Sequence, residues 1–546
     1  MKNTEIFNDF DMVVSVTQKT INDQLTSLTK LGVIPSHLIL IRTVDPKSEM
    51  FTYEMLHCPD GMDQCPEVIP HDSSGKPTVE CIDGIVQSRI EMSESGTSVA
   101  FLLKFVSGTA YFRDFESPDL SLKKFDMSGW IYAVDITLDL AAVEADDIDN
   151  KIKVPDSIRK QLHDFMSEQF TVSHLFLDFS SVDLVRFDPI KTTTPGNEGP
   201  GQILFVDFMV RYLKFLKTTG NPYILGYSVA ANDRTRIPPD KNVPDSIKPV
   251  GTTFTVYHDP RHPDLSNLNF VLATKGGHGK ITGSAGTFDT NWITPNEQCD
   301  AKMIYSHSVL LEKFVLQPIF DQMSSGVYKQ IGGKVNVGQG NNYQHARQPV
   351  ANGFNFSISN VTSGDDRYAN NFSVAIQNNG SGTALNFKGH VYVYKEVSKS
   401  HACLFKDAEA DAAAIVDWSA NVSIASSKNK AGEPTLTLSK SFKVDHSDFP
   451  RNENDCAKAI SMLGTILGSF IDALTGFQDN LFFTQLFDSV LDLHPGVGNV
   501  GVALSSLPNV VQNAVILPAG HVFFFKDVAS DPNGNLSLEL SYKTES

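Results

Sequence analysis

The sequence predicts an α+β fold in two lobes, with long amphipathic helices burying their apolar stripes on antiparallel β-sheets. Three observations lead there. The chain has 546 residues, and single hydrophobic cores stop growing at roughly 250–300 residues. Many segments alternate apolar and polar residues, the period-two signature of half-buried strands. Between them lie longer segments whose apolar residues recur every three or four positions, as a helix with one buried face requires.

The first element is a helix in DMVVSVTQKTINDQLTSLTKL (11–31), with Val14, Thr17, Ile21, Leu25, Leu28 and Leu31 in one stripe. Asp11 can cap it and Gly32 can end it. Extended segments follow at HLILIRTV (37–44) and MFTYEML (50–56), then a Gly/Pro/Asp-rich loop to about residue 93, then SVAFLLKFVSGTAYF (98–112). The clearest strand is WIYAVDITLDL (130–140), where Trp130, Tyr132, Val134, Ile136 and Leu138 alternate with Ala133, Asp135, Thr137 and Asp139. A short helix in 155–166 precedes strand-like residues 170–187, and the turn-rich TTTPGNEGPG leads into an amphipathic helix over 203–217. YILGYSVA, TTFTVYHD and LSNLNFVLAT complete a run of strands ending near residue 274.

Asn and Pro around TPNEQCD (294–300) mark a boundary, giving lobes 1–295 and 296–546. The second lobe restarts the pattern with a helix over 303–320 whose stripe holds Ile304, His307, Leu311, Phe314 and Val315, kinked at Pro318. Alternating segments GFNFSISNV, NNFSVAIQN, ALNFKGHVYVYKEV and DWSANVSIAS follow, then helices from about 455 to 493, and two strands around the turn SDPNG close the chain. Trp-led strands in both halves, GWIYAVDI and DWSANVSI, hint at duplication. A sheet wrapped most of the way round such a helix makes a tapering apolar tube.

The bulk chemistry excludes several functions. A formal charge of −18, with no block of Lys and Arg against it, repels nucleic acid and anionic headgroups. Thirty-six Phe against 14 Tyr and 3 Trp imply a large greasy interior or cavity, because Phe supplies apolar area without a polar handle. No secretory h-region opens the chain, so synthesis in the cytoplasm is expected, with release by a non-classical route left open. The most hydrophobic helix, 457–477, carries Lys458 and Asp472 and reads as buried rather than membrane-spanning. Six Cys are too few for a disulfide scaffold of this length. Cys58, Cys65 and Cys81 match no zinc spacing and read as a loop with reduced or incidentally paired thiols.

No G-x-S-x-G, H-E-x-x-H or EF-hand pattern occurs, so no catalytic residue, metal site or cofactor is assigned. PGVGNVG (495–501) has dinucleotide-loop spacing but follows a helical pattern rather than a strand, and reads as a connection. TKGGHGKIT (274–282) has the Gly-Lys of a phosphate loop, yet Thr274 and Ile281 replace its first Gly and its Ser/Thr; it reads as a hairpin turn. HDPRHPD (258–264) reads as an exposed turn, and EADDIDN (144–150) as a solvated turn.

The closing segment VILPAGHVFFFKDVASDPNGNLSLELSYK (515–543) resembles that of the tubular lipid-binding (TULIP) superfamily. The closer likeness is to its accessory proteins encoded beside clostridial neurotoxins and some insecticidal toxins. YILGYSVA (223–230), LSNLNFVLAT (265–274) with NWI (291–293), SHSVLLEKFVLQPIF (306–320) and DMVVSVTQKTINDQL (11–25) add to it. The resemblance implies long helices wrapped in strongly curved antiparallel sheets, an apolar groove or tube, and no catalysis. Its implied function is binding of a lipid or other apolar molecule, or partnership in a toxin assembly; the alternative is an assembly subunit with a filled tube. Expected partners are an apolar small molecule, proteins of the same toxin gene cluster, and a membrane touched peripherally. The helix stripes supply the expected tube lining: Ile21, Leu25 and Leu28; Leu311, Phe314 and Val315; and Leu463, Leu467, Phe470 and Leu474.

Overall fold

A computed structural model describes residues 6–56, 69–115, 117–150, 152, 154–168, 170–179, 187–197, 199–219, 221–231, 247–281, 284–317, 319–321, 342–361, 367–378, 382–403, 406–428, 434–459, 514–519, 523–530 and 535–542. Among them the strands form three antiparallel sheets, with several helices, so the fold is α+β. No helix among the described residues is long and apolar enough to cross a membrane.

The chain begins as a strand, β1 (Met12–Thr17), and only then becomes helical in α1 (Gln18–Lys30). The predicted helix was therefore too long at its N-terminal end. Thr17 caps α1 by accepting the Thr20 amide at 3.1 Å, a role expected for Asp11, and Gly32 ends it at φ +72 as its left-handed freedom allows. Leu31 leaves the stripe and is exposed.

A six-stranded sheet takes β1 as an inner strand, in the order β10 (Pro249–Tyr257), β11 (Asn267–Thr274), β1, β12 (Ala301–Tyr305), β22 (Leu536–Tyr542), β21 (Phe523–Ser530). It draws strands from both sides of residue 295. One face, with Val14, Phe270, Met303 and Leu538, joins the main core; the other, with Val13, Val271 and Ile304, is covered by Ile6, Phe10, Ala285 and Phe288.

The nine-stranded sheet runs β20 (Val515–Ile516), β9 (Ile224–Ala230), β8 (Thr171–Leu177), β7 (Ile131–Ala142), β5 (Ser98–Arg113), β4 (Glu80–Met92), β2 (His37–Val44), β3 (Phe51–Leu56), with β6 (Leu122–Asp126) on β5. Strand β4 occupies part of the expected loop. Two small helices, α2 (Ala145–Asn150) and α3 (Asp156–Ser167), lie between β7 and β8; α2 is a helix where a turn was expected. The 20-residue helix α4 (Pro200–Thr219) packs on this sheet. Its Phe205 meets Phe105 at 5.8 Å, Trp130 at 5.1 Å and Tyr132 at 6.2 Å, while Phe208 meets Phe112 at 5.7 Å and Tyr53 at 5.4 Å. One helix touches both β7 and β3, four strand spacings apart at about 4.8 Å each, although a helix is only about 10 Å wide. The sheet must curl around α4 to do this.

Helix α1 closes a bare stretch of the same sheet. Strand β2 pairs with β4 only as far as Ile85, so the backbone beyond it needs other partners. Asn22 supplies them, donating to the Ile90 carbonyl at 3.0 Å and accepting its amide at 2.8 Å, and Gln18 accepts the Met92 amide at 2.7 Å.

The seven-stranded sheet runs β13 (Arg347–Val350), β14 (Gly353–Val361), β15 (Arg367–Asn378), β16 (Gly382–Cys403), β17 (Lys406–Lys428), β18 (Pro434–Asp448), with β19 (Arg451–Glu453) on β17. Its longest strands have 22 and 23 residues. The short helices α5 (Tyr343–Ala346) and α6 (Asp455–Ala459) flank it, and a Cys403–Cys456 disulfide ties α6 to the end of β16.

Candidate functional site

Alternation gives the seven-stranded sheet one apolar and one polar face. Phe354, Phe356 and Ile358 of β14, Tyr368, Phe372 and Val374 of β15, and Leu385, Phe387, Val391 and Val393 of β16 are all buried. On β17 the even-numbered residues continue the face, from Ala408 through Ala414 to Trp418 and Ile424. An aromatic row crosses the strands: Phe356 stacks on Phe372 at 4.6 Å, Phe372 lies 6.0 Å from Trp418, and Trp418 stacks on Phe442 at 5.9 Å. Gly389 stands in register between Phe372 and Trp418, and the indole fills the space its missing side chain leaves.

A π-helix, Ser308–Leu316, reaches this face. The predicted helix began at residue 303, but Ala301–Tyr305 is captured as β12 between β1 and β22, so Ile304 belongs to the sheet. Leu311, Phe314 and Val315 are at most 6% exposed and lie in one core with the sheet's apolar face. Just beyond the helix, Phe320 meets Phe356 at 5.7 Å and Tyr343 at 5.6 Å. Runs of π-helix are rare and concentrate at functional sites.

Polar groups converge beside this apolar surface. Glu312, 8% exposed, accepts from Arg347 and lies 3.1 Å from Nδ1 of His307. Arg347 sits 4.4 Å over the ring of Phe354, which His307 also packs against. Burial, then the charge of Glu312, pushes the Tyr343 phenol well above its ordinary value, so it stays a neutral hydroxyl. Sequence reasoning missed this cluster, whose only local signal is a lone Glu inside an apolar helix stripe.

Ile21, Leu25 and Leu28 of α1 are at most 1% exposed and belong to the same core as the second set of candidates. Leu463, Leu467, Phe470 and Leu474 lie outside the described residues, as do PGVGNVG, Cys58 and Cys65. Cys81 is a buried residue of β4, and burial pushes its thiol up to about 12.

The glycine loop that imitates a phosphate loop holds an anion of the chain's own. Asp11, 1% exposed, accepts from the amides of Thr274 at 2.6 Å and His278 at 2.9 Å, and its other oxygen lies 2.7 Å from Nδ1 of His278. A Cβ on Gly277 would stand 2.2 Å from the Asp11 carboxylate, so only glycine permits this approach. HDPRHPD forms a turn around Asp259, which accepts the amides of Arg261 and His262 at 3.0 Å each. Among the described residues no group of three His, Cys, Asp or Glu is placed to hold a metal ion.

No family model and no curated protein matches the chain. Its structure is similar to that of P47 from Clostridium botulinum A2, at 10% identity and a TM-score of 0.44, covering 98% of each chain. P47 of Clostridium botulinum E1 is similar at 10% identity and a TM-score of 0.46, covering 98% of this chain and 99% of that one. A lipopolysaccharide binding protein aligns at 10% identity and a TM-score of 0.28, covering 98% of this chain and 100% of that one.

Proposed function

We propose that the chain is a non-enzymatic protein that binds a lipid or other apolar molecule, acting as an accessory protein of a toxin system. The observation that carries this reading is the apolar face of the seven-stranded sheet, continuous over four strands and joined by Leu311, Phe314 and Val315 of the π-helix. The TULIP-like sequence segments support it. In this reading 1–295 and 296–546 are two lobes, and the ligand lies against the apolar face of the second. Each methylene taken out of water contributes about 0.8 kcal/mol. The Glu312, Arg347 and Tyr343 cluster supplies the few polar groups such a site needs for orientation. Titration of the purified chain with a fluorescent long-chain fatty acid tests it. Saturable uptake is expected; a signal that never rises above that of a non-binding control protein overturns it.

One observation favours a second reading, an assembly subunit that works through its outer surface. Pairing of Arg42 with Glu80, Cys81 with Tyr111 and Phe112 with Lys123 puts the β2–β3 and β5–β6 connections at the same end of the nine-stranded sheet. That end exposes Val44, Met50, Phe51, Phe115 and Leu120, each at least 44% accessible. Apolar side chains gathered in this way mark contact surfaces. Under this reading a Met50→Ser, Phe51→Ser double variant loses co-assembly with proteins of the toxin cluster while fatty-acid uptake is unchanged; undiminished co-assembly overturns it.

A further inference from the structure

We propose that the outer, polar face of the seven-stranded sheet carries a separate binding site for an acidic oligosaccharide. A shallow groove of about 470 Å³ crosses β14, β15 and β16 on that face. Its floor is the backbone of Phe356, Phe372 and Gly389, which stand side by side in register and turn their side chains, where they have them, to the core. One wall is the row Asn355, Ser373, Lys388; the other is Ser357, Asn371, His390.

The spacing follows from the sheet. Residues two apart on a strand separate the walls by about 6.7 Å, and each wall offers one hydrogen-bonding side chain per strand at about 4.8 Å. That step is close to the length of one pyranose ring, so a sugar chain lying across the strands meets a polar group on each edge at every residue. The four neutral side chains are amides and hydroxyls, which donate and accept as sugar hydroxyls do. The hydroxyl of Ser357 donates to Oδ1 of Asn371 at 2.9 Å, which leaves the Asn371 NH₂ to donate elsewhere.

Charge selects the acid. In a chain of net charge −18 no carboxylate lines this groove, and its charged or titratable groups, Lys388 and His390, sit together on β16. Two carboxylates lie outside the groove: Asp417 fixes the His390 ring through Nδ1 at 2.7 Å, and Asp445, paired with Lys443 at 3.0 Å, also feels the charge of Lys388. Other ligand classes fit poorly. Nucleic acid needs several cations in a row, and a lipid chain needs apolar walls. A peptide strand needs a free sheet edge, whereas β15 and β16 are paired on both sides and β13 covers β14 from Gly353 to Phe356.

The test is an array of acidic and neutral oligosaccharides probed with the full chain, with Lys388→Ala and Asn371→Ala as surface variants. Retention of acidic members is expected, with affinity falling about five- to tenfold in either variant while fatty-acid uptake and the emission of Trp418 beneath the groove stay unchanged. An array that retains no acidic member, equal retention of neutral members, or variants that bind like the parent would each overturn the proposal.

Discussion

Replacing Gly389 with alanine puts the packing of the aromatic row to a quantitative test. A Cβ there would lie 2.1, 2.3 and 2.4 Å from Cε2, Cζ2 and Nε1 of Trp418, whereas ordinary contact begins near 3.4 Å. The indole must therefore retreat by about 1.3 Å, and it has nowhere easy to go. Trp418 is 1% exposed and held between Phe372 and Phe442. Forced repacking of this kind costs about 1–3 kcal/mol. Urea unfolding followed by tryptophan emission reads both effects, since the chain has only 3 Trp and a displaced Trp418 changes the folded-state spectrum. A variant within about 0.5 kcal/mol of the parent, with unchanged emission, would show that the indole does not depend on the missing side chain.

Three further predictions concern the joints of the fold. Asn22→Ala strips partners from the amide and carbonyl of buried Ile90; at about 1–3 kcal/mol per orphaned group it should cost about 2–6 kcal/mol, and a loss under about 0.5 kcal/mol would count against it. Reduction of Cys403–Cys456, which spans 53 residues, should destabilise by up to about 4 kcal/mol on the loop-entropy estimate, measured as a lower urea midpoint; an unchanged midpoint would argue that α6 holds its place without the bond. Cys81 should react with a thiol reagent only on unfolding. Because its pKa is raised, to about 12, its contribution is intact below the ordinary thiol value near 8.5 and declines as pH rises through that window; fast labelling of Cys81 itself, located by peptide mapping, in the folded chain at pH 8 would contradict this.

Regular alternation made much of the fold legible. The segments 37–44 and 353–361 are strands with the bounds expected, and Trp130, Tyr132, Val134, Ile136 and Leu138 form one buried face. The errors share a cause. Met12–Thr17 is buried at every residue, as β12 nearly is, so each reads as an aperiodic apolar run and is absorbed into the helix that follows. Strand β4 was hidden by the turn-rich residues before it, and β18 by the largely exposed, lysine-bearing stretch Ser439–Asp448. The Glu312 cluster depends on a residue 35 positions away, and the outer groove on cross-strand register; no single segment announces either. The glycine loop, expected as a hairpin turn, closes no hairpin, since β11 and β12 both pair with β1 and not with each other; its amides bind a carboxylate that the chain supplies as Asp11.

Whether an apolar ligand is held against the seven-stranded sheet can be read by native mass spectrometry of the purified full chain, paired with organic extraction of the same sample. A mass above the 59.9 kDa polypeptide is expected, disappearing on extraction, with an amphiphile recovered in the organic phase or taken up when lipid is added. A chain that flies at its bare mass, yields no extractable lipid and takes up none would contradict such binding.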